Sequence, residues 1–181
     1  ENRYPLIKDF VTLAPLQDVV FGGWDVYSDN VYEAAMNAKV LEASLLNAVK
    51  PELEAIKPMK AVFDKSYIKN LDGTHIKQAA TKWELANEVI NDIENFKTVN
   101  DCDRVVIVWC GSTEKYIEQS AVHETIESFE AGLKNNDPAI SPSMIYAYAA
   151  IKIGVPYANG APNLTCDIPA LIELSKETNT P

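Results

Sequence analysis

The stretch from Arg104 to Tyr116, with the sequence RVVIVWCGSTEKY, constrains the fold of this chain more than any other. Five consecutive apolar residues, Val105 to Trp109, run directly into Cys-Gly-Ser-Thr and then into charged residues. A continuous apolar run that is rich in β-branched residues is typical of a strand buried on both faces, as in a parallel sheet. In open α/β sheets, ligands bind just beyond the carboxyl ends of such strands. The stretch therefore predicts a buried strand over 104–110 that leads into a ligand-binding turn.

A second stretch has the same arrangement further along the chain. Val155–Ala158 reads as a short strand, and Asn159–Pro162, with the sequence Asn-Gly-Ala-Pro, follows it directly. An ordinary turn is the competing interpretation at both places, because glycine, asparagine and proline are the usual turn residues. Two such junctions in one chain indicate a nucleotide-type crevice at one edge of a sheet.

Helical patterns occupy much of the chain between the predicted strands. Asn30, with a glutamate three residues later, has the spacing of a helix capping box. Apolar residues at helical spacing predict a long amphipathic helix over 74–96. Ser141 followed by proline predicts a helix start, and Gly154 is a plausible end of the same helix.

The order of these elements indicates the fold class. An earlier strand is predicted over 18–26, where Gly22-Gly23 interrupts or ends it. Strands that alternate with helices imply βαβ units, and so an α/β fold with a parallel sheet in one domain over residues 1–181. Because the strands are few and the helices many, part of the sheet is expected to lie outside this chain.

Charge and composition disfavour several classes of function. The net charge of −10 makes nucleic acid and anionic membrane surfaces poor partners, since both attract clustered Lys and Arg. The chain has no apolar run long enough to cross a bilayer and no signal-peptide core at its start. Its three cysteines, without a CxxC spacing, favour reduced thiols and a cytoplasmic location. His75 and His123 lack partners at metal-ligand spacing, so no metal site is predicted.

Motifs for catalysis and for a complete phosphate-binding loop are absent from the sequence. The chain contains neither GxGxxG, nor a Walker loop, nor a GxSxG elbow. No catalytic residue is therefore assigned. Asp25 ends the first predicted strand, where Rossmann domains place the acidic residue that binds ribose hydroxyls. A turn-forming or helix-capping aspartate is the interpretation that the pattern alone favours.

Four blocks of the sequence resemble, in the same order, blocks of the inositol-3-phosphate synthase (myo-inositol-1-phosphate synthase) family. They are GWDV at 23–26, VVIVWCGSTEKY at 105–116, ISPSMIYAYA at 140–149 and VPYANGAPNLT at 155–165. The resemblance covers nearly the whole chain and implies a Rossmann-like NAD-binding domain with an incomplete parallel sheet. It also implies an internal fragment, without the family's N-terminal glycine-rich loop and C-terminal catalytic region.

The resemblance further implies which residues contact NAD. Asp25 matches the aspartate that holds the adenosine ribose, and residues 110–113 match a Thr-Ala-Asn-Thr turn that lines the cofactor. Gly160 and its neighbour match a Gly-Ser pair near the nicotinamide, and residues 61–62 match another adenosine-side contact. The implied cofactor-binding residues are Asp25, Ala61, Val62, Cys110, Gly111, Ser112, Thr113, Gly160 and Ala161. Cys-Gly-Ser in place of Thr-Ala-Asn, and Ala161 in place of serine, change the available hydrogen-bonding groups.

The resemblance implies an activity for the whole enzyme. Family members convert D-glucose 6-phosphate to 1D-myo-inositol 3-phosphate by NAD-dependent oxidation, enolisation, intramolecular aldol cyclisation and reduction. That makes the enzyme an isomerase of inositol and phospholipid biosynthesis, expected to be a cytoplasmic homotetramer. The present segment is expected to position NAD and to be inactive alone. A non-catalytic α/β scaffold and a different NAD-dependent enzyme remain alternatives, since a fold does not determine a function.

Overall fold

The structure is a computed structural model that describes residues 4–181, which form short strands alternating with α-helices. The strands are β1 (Trp24–Asp25), β2 (Met59–Lys60), β3 (Ile107–Trp109) and β4 (Tyr157–Asn159). The α-helices are α1 (Val31–Ala38), α2 (Ala43–Ala48), α3 (Lys50–Ala55), α4 (Lys82–Val99), α5 (Ile126–Lys134), α6 (Pro142–Lys152) and α7 (Pro169–Thr178). Short 3-10 turns lie at Ile7–Asp9, Leu16–Asp18 and Ala121–His123.

The four strands form two separate parallel pairs. In the first pair β1 lies beside β2, with Trp24 opposite Met59. In the second pair β3 lies beside β4, with Trp109 opposite Asn159. Parallel strands joined through helices define the α/β class, and an incomplete sheet is what the small number of predicted strands implied.

The hydrophobic core surrounds α6. Every residue from Pro142 to Ile151 is buried, so this helix is apolar on all sides, as expected of a helix that other elements enclose. Helices α4 and α7 pack against it, and α5 packs against α7. The second strand pair also contacts this core through Tyr157, whereas the first pair contacts it through the partly buried Trp24.

Local capping signals predicted three helix ends correctly. The Asn30 side chain accepts a hydrogen bond from the Glu33 amide at 3.0 Å, and the Glu33 carboxylate accepts one from the Asn30 amide at 3.0 Å. Ser141 caps α6 by accepting the Met144 amide at 3.3 Å. Gly154 follows the end of α6 in a left-handed conformation, with φ of 75°, which glycine adopts without strain.

The prediction of a strand buried on both faces over 104–110 was wrong in two respects. The strand itself covers only Ile107–Trp109. Val106 is 61% exposed and Val108 is 60% exposed, so one face of β3 is open to solvent. Apolar character alone cannot reveal this face, because burial depends on which elements cover the sheet.

The long helix predicted over 74–96 begins later and ends later than expected, since α4 covers Lys82–Val99. Thr81 is its N-cap, and it forms a capping box with Glu84. The segment before Thr81 is not helical. Within it, Ile76 forms a parallel bridge with Ala61, just beyond β2. Non-local pairing with the sheet therefore prevails over the helical spacing of the apolar residues in this segment.

The N-terminal strand predicted over 18–26 is also shorter in the structure. Only Trp24 and Asp25 are extended and paired, and a 3-10 turn occupies Leu16–Asp18. The partner strand β2 lies in a segment, 57–72, whose prolines and polar residues predicted only a connection. Strand β2 is two residues long, too short for its own pattern to stand out.

Candidate functional site

The two predicted small-residue junctions lie side by side in the structure. Because β3 and β4 are parallel and adjacent, the segments that follow them leave the sheet at the same edge. The Gly160 amide donates a hydrogen bond to the Trp109 carbonyl at 2.9 Å, which continues the ladder one step beyond β4. The turn 110–113 and the pair Gly160–Ala161 therefore start from neighbouring positions.

There is little space for side chains where the segments after β3 and β4 meet. A Cβ atom on Gly160 would lie 2.8 Å from the Trp109 carbonyl oxygen, which is backbone and cannot rotate away. A Cβ on Gly111 would lie 3.2 Å from the Trp109 ring. Beyond Gly160, the Ala161 amide donates to the Asn159 side-chain oxygen at 3.0 Å and so fixes the second turn. The junction is thus close-packed on its sheet side.

The first turn of the junction is open on its outer side. Cys110, Gly111, Ser112 and Thr113 are all exposed. The thiol of Cys110 is free, as are those of the other two cysteines. Two buried polar atoms near the junction, Trp109 Nε1 and Asn163 Oδ1, have no hydrogen-bond partner within residues 4–181.

Asp25 lies at the end of β1, in the other strand pair. Its Oδ1 atom accepts a hydrogen bond from the Tyr27 amide at 3.0 Å, which forms a local turn, and the side chain is exposed. The aspartate therefore has the turn geometry that the pattern alone favoured. An exposed carboxylate beyond the carboxyl end of a parallel strand is also available to a ligand hydroxyl.

Ala61 and Val62 follow β2 and are both buried, at 6% and 5% exposure. Val62 borders a cavity of about 570 Å³. The other residues around this cavity are Phe63, Asp64, Lys65, Asp72, Gly73, Thr74, Ile76, Lys82, Leu85, Ile140, Pro142 and Ile145. Burial lowers the pKa of the Lys82 ammonium group, which donates to the carbonyls of Asp137 at 2.7 Å and Ile140 at 2.6 Å.

A larger cavity, of about 1450 Å³, lies between the two strand pairs. Residues of β1 and β3 border it, together with the N-terminal segment and the end of α4. Cys110 is the predicted cofactor residue on its surface. The remaining ones, Asp25, Ala61, Gly111, Ser112, Thr113, Gly160 and Ala161, border neither cavity.

Tyr146 contacts both strand pairs, beside which the predicted cofactor residues lie. The sequence analysis did not single it out. Its ring lies 5.0 Å from the Trp24 ring and 5.5 Å from the Trp109 ring, measured between centroids. Its hydroxyl accepts a hydrogen bond from the Val62 amide at 2.8 Å. The tyrosine lies on α6, whose uninterrupted apolar character was the available signal for a central position.

Glu114 is a second residue that sequence reasoning missed. It follows the turn 110–113 directly and is only 3% exposed. Burial raises the pKa of its carboxyl group above the ordinary value, and hydrogen bonds from Ser143 act in the opposite direction. A single glutamate after a strand is usually a surface residue, so its burial could not be read from the sequence.

The two histidines have structural environments. His123 is fully buried, and its ring nitrogens contact the Ser120 amide at 3.1 Å and the Ala139 carbonyl at 3.0 Å. Across residues 4–181 there is no group of three or more His, Cys, Asp or Glu side chains arranged to hold a metal ion. Nor does any helix in that range have the length and apolar character needed to cross a membrane.

Comparison with known proteins identifies the family. The family model described as myo-inositol-1-phosphate synthase, an NAD-binding domain model, matches residues 1–181. This chain belongs to the myo-inositol-1-phosphate synthase family. It is 54% identical to inositol-3-phosphate synthase 1 of Bacteroides thetaiotaomicron over 181 residues, which is 99% of this chain and 42% of that protein.

More distant synthases of the family also match along this chain. It is 34% identical to inositol-3-phosphate synthase of Mesembryanthemum crystallinum, over 99% of this chain and 36% of the plant protein. The crystal structure of inositol-3-phosphate synthase from Caenorhabditis elegans superposes with a TM-score of 0.89 and 29% identity, over 96% of this chain and 34% of that one. The chain thus spans well under half the length of these synthases.

The synthase family uses NAD, and the chain corresponds to its NAD-binding domain. The residues at the strand ends fit a dinucleotide: the turn 110–113 is exposed, and Asp25 carries an exposed carboxylate. Of the two buried polar atoms without a partner in residues 4–181, one belongs to Trp109, which directly precedes this turn, and the other to Asn163, which contacts Glu114 directly after it. This donor and acceptor set suits hydroxyl and amide groups, and it lacks the clustered acids and histidines of a metal site.

Proposed function

We propose that this chain is the NAD-positioning part of an inositol-3-phosphate synthase, and that residues 1–181 form one partial NAD(P)-binding domain. The observation that carries the proposal is the adjacency of two small-residue turns at one edge of parallel strands, Cys110–Thr113 and Gly160–Ala161. Ligands of α/β proteins bind at such an edge. The family match over the whole chain supports a dinucleotide as that ligand.

Each group of residues has a distinct part in the proposed site. Asp25 accepts hydrogen bonds from the adenosine ribose hydroxyls through its exposed carboxylate. The exposed turn 110–113 lines the cofactor, and Gly160–Ala161 approaches its nicotinamide side. Ala61 and Val62, whose side chains are buried, form the apolar wall on the adenosine side. NAD, when bound, supplies reversible hydride acceptance.

The whole protein is proposed to convert D-glucose 6-phosphate to 1D-myo-inositol 3-phosphate as an isomerase. Its activity further requires acid–base groups beyond those named here, so this segment alone is expected to be inactive. A cytoplasmic homotetramer acting in inositol and phospholipid biosynthesis is part of the same proposal. The similarity to the named synthases supports the activity, whereas the location, assembly and pathway rest on the family resemblance alone.

NAD titration of the whole protein that carries this chain tests the binding proposal. Replacing Asp25 with alanine is expected to weaken NAD binding by about 10- to 100-fold, because a charged acceptor of ribose hydroxyls is lost. Asp9→Ala is the matched control and should leave NAD affinity unchanged. Asp9 is also exposed and also accepts one backbone amide hydrogen bond at 2.7 Å, from Leu6. Wild-type NAD affinity in Asp25→Ala would refute the role of Asp25.

The activity proposal has its own test. Phosphorus NMR should detect inositol phosphate when the whole protein is incubated with glucose 6-phosphate and NAD. Absence of product from a folded protein that binds NAD would favour a different NAD-dependent enzyme. Absence of both product and NAD binding would favour the non-catalytic scaffold.

A further inference from the structure

A buried carboxylate lies directly behind the exposed turn 110–113. Residues 110–113 are all exposed, whereas the next residue, Glu114, is 3% exposed. In the described chain, no hydrogen bond joins the Ser112 or Thr113 side chain to another residue. The turn is therefore held at its two ends: by the sheet at Trp109, and by Glu114 with its neighbour Lys115, whose amide donates to the Tyr67 carbonyl at 2.9 Å.

The Glu114 carboxylate binds the start of α6. The Ser143 amide donates to Oε1 at 2.9 Å, and the Ser143 hydroxyl donates to Oε2 at 2.6 Å. Ser143 is the second residue of α6, so its amide is one of the N–H groups that a helix cannot satisfy internally. The partial positive charge of the helix start also stabilises a carboxylate there.

The same carboxylate reaches the second turn. The Asn163 side-chain amide donates to Oε2 of Glu114 at 3.4 Å, and Asn163 follows Gly160–Ala161 by two residues. Asn163 is also held by the Ser143 hydroxyl at 3.0 Å and by the Thr165 hydroxyl at 2.7 Å. One side chain therefore ties both small-residue turns to the same buried helix end.

An acidic group at this position is costly to the fold. No Lys, Arg or His nitrogen of the described chain lies within 4.0 Å of the Glu114 carboxylate. Burying a charge without an ion-pair partner is destabilising, and hydrogen bonds offset only part of the loss of water. Strained or costly ionisable groups of this kind cluster at functional sites.

We propose that Glu114 is a positioning residue for the NAD site, holding turns 110–113 and 160–161 at their relative distance. The inference rests on the proposed function, since it assigns Glu114 a role in NAD binding through those turns. Glu114 itself does not touch the cofactor. Its carboxylate acts through Ser143 and Asn163.

NAD titration of the whole protein with Glu114→Ala and Glu114→Gln tests the proposal. Alanine removes all three hydrogen bonds, so NAD affinity is expected to fall by about 10- to 100-fold. Glutamine keeps the shape: its amide oxygen can accept from the Ser143 amide, and its amide nitrogen can donate to the Ser143 hydroxyl. The bond from Asn163 is lost, because two N–H donors then face each other, so NAD affinity should lie between those of wild type and Glu114→Ala. Glu118→Ala, an exposed substitution four residues along the chain, is the control and should leave NAD affinity unchanged.

Melting temperatures distinguish positioning from folding. A Glu114→Ala protein that is folded at the assay temperature and binds NAD as wild type does would overturn the proposal. So would a Glu114→Gln protein that is folded but binds as weakly as the alanine variant. If Glu114→Ala does not fold, Ser143→Ala takes its place. It removes the hydroxyl donor but keeps the amide, and is expected to weaken NAD binding by about 3- to 10-fold, with unchanged affinity as the refuting result.

Failure of this inference can be told apart from failure of the proposed function. Wild-type protein that binds NAD, with a folded Glu114→Ala variant that binds equally well, refutes only the positioning role. Wild-type protein that is folded and does not bind NAD refutes the proposed function, and the positioning role falls with it. Hydrogen exchange of amides 110–113 without NAD adds a direct readout, since faster exchange in Glu114→Ala than in Glu114→Gln is expected.

Discussion

The two strand pairs differ in how firmly the rest of the molecule holds them. The pair β3–β4 is backed by α6, whose residues 142–151 are all buried. Helices α1, α2 and α3 connect β1 to β2, and Leu46 is the single buried residue in these three helices. The turns 110–113 and 160–161 thus extend from a packed region, whereas Asp25 extends from a thinly covered one.

A small set of contacts fixes the thinly covered pair to the rest of the structure. The Trp24 indole N–H donates to the Asp92 carboxylate on α4 at 2.7 Å. Lys77, whose side chain is 8% exposed, lies 2.8 Å from the same carboxylate. Tyr146 adds the aromatic contacts to Trp24 and the hydrogen bond from Val62. The position of Asp25 relative to turns 110–113 and 160–161 therefore depends on a few side chains, each of which can be removed by a single substitution.

Tyr146 is expected to have the largest effect. Tyr146→Ala should lower the free energy of unfolding by about 3–5 kcal/mol, because it leaves a cavity between Trp24 and Trp109. Tyr146→Phe keeps the ring but leaves the buried Val62 amide without its acceptor, at a cost of about 1–3 kcal/mol. Urea unfolding curves measure both. Tyr116→Ala, at a side chain that is 64% exposed, should change stability by less than about 0.5 kcal/mol, and equal losses at both tyrosines would contradict the bridging role.

Glycine substitutions compare the two pairs directly. Gly160→Ala places a Cβ 2.8 Å from the Trp109 carbonyl oxygen, so the β3–β4 junction must shift, at a cost of about 1–3 kcal/mol. Gly23→Ala, just before β1, meets no heavy atom within 4 Å. It should be neutral, to within about 0.5 kcal/mol. Thermal unfolding of both variants measures this difference in stability. A destabilising Gly23→Ala together with a neutral Gly160→Ala would contradict the prediction.

The features that the sequence predicted correctly are local ones. The capping box at Asn30, the cap at Ser141 and the left-handed Gly154 each involve residues within one helical turn of each other. Such interactions are encoded by spacing alone. Much of the order of strands and helices was predicted for the same reason, but β2 was missed because it is only two residues long.

The features that the sequence could not reveal depend on distant partners. Segment 74–81 has helical spacing, yet Ile76 pairs with Ala61. Val108 is apolar, yet 60% exposed, because no described element covers that face of β3. Glu114 is acidic, yet buried, because Ser143 and Asn163 reach it from 29 and 49 residues away. Of the candidate site, the adjacency of the two turns was predictable, whereas the burial of Glu114 and the contacts of Tyr146 with Trp24 and Trp109 were not.

The stability of the packed pair β3–β4 is expected to depend on pH through Glu114. Burial raises the pKa of Glu114, so its ionised form is less favourable in the folded protein than in the unfolded chain. The folded state therefore loses stability as pH rises from the ordinary value of about 4.5 through the raised folded value. Glu114→Gln has no such proton to lose. Its stability relative to wild type should increase with pH over this window, as measured by urea unfolding at pH 5 and pH 8.

Other ionisable groups near Glu114 also affect how stability depends on pH. Asp64, Tyr67, Lys82 and Tyr157 all interact electrostatically with it. They are present in both proteins, so the difference between wild type and Glu114→Gln largely removes their own titration. Glu118→Gln, which neutralises an exposed carboxylate of the same segment, is measured alongside as the control. A Glu114→Gln difference that is constant between pH 5 and pH 8 would mean that this carboxylate keeps its ordinary pKa. Its hydrogen bonds from Ser143 and Asn163 would then fully replace the water that burial removes.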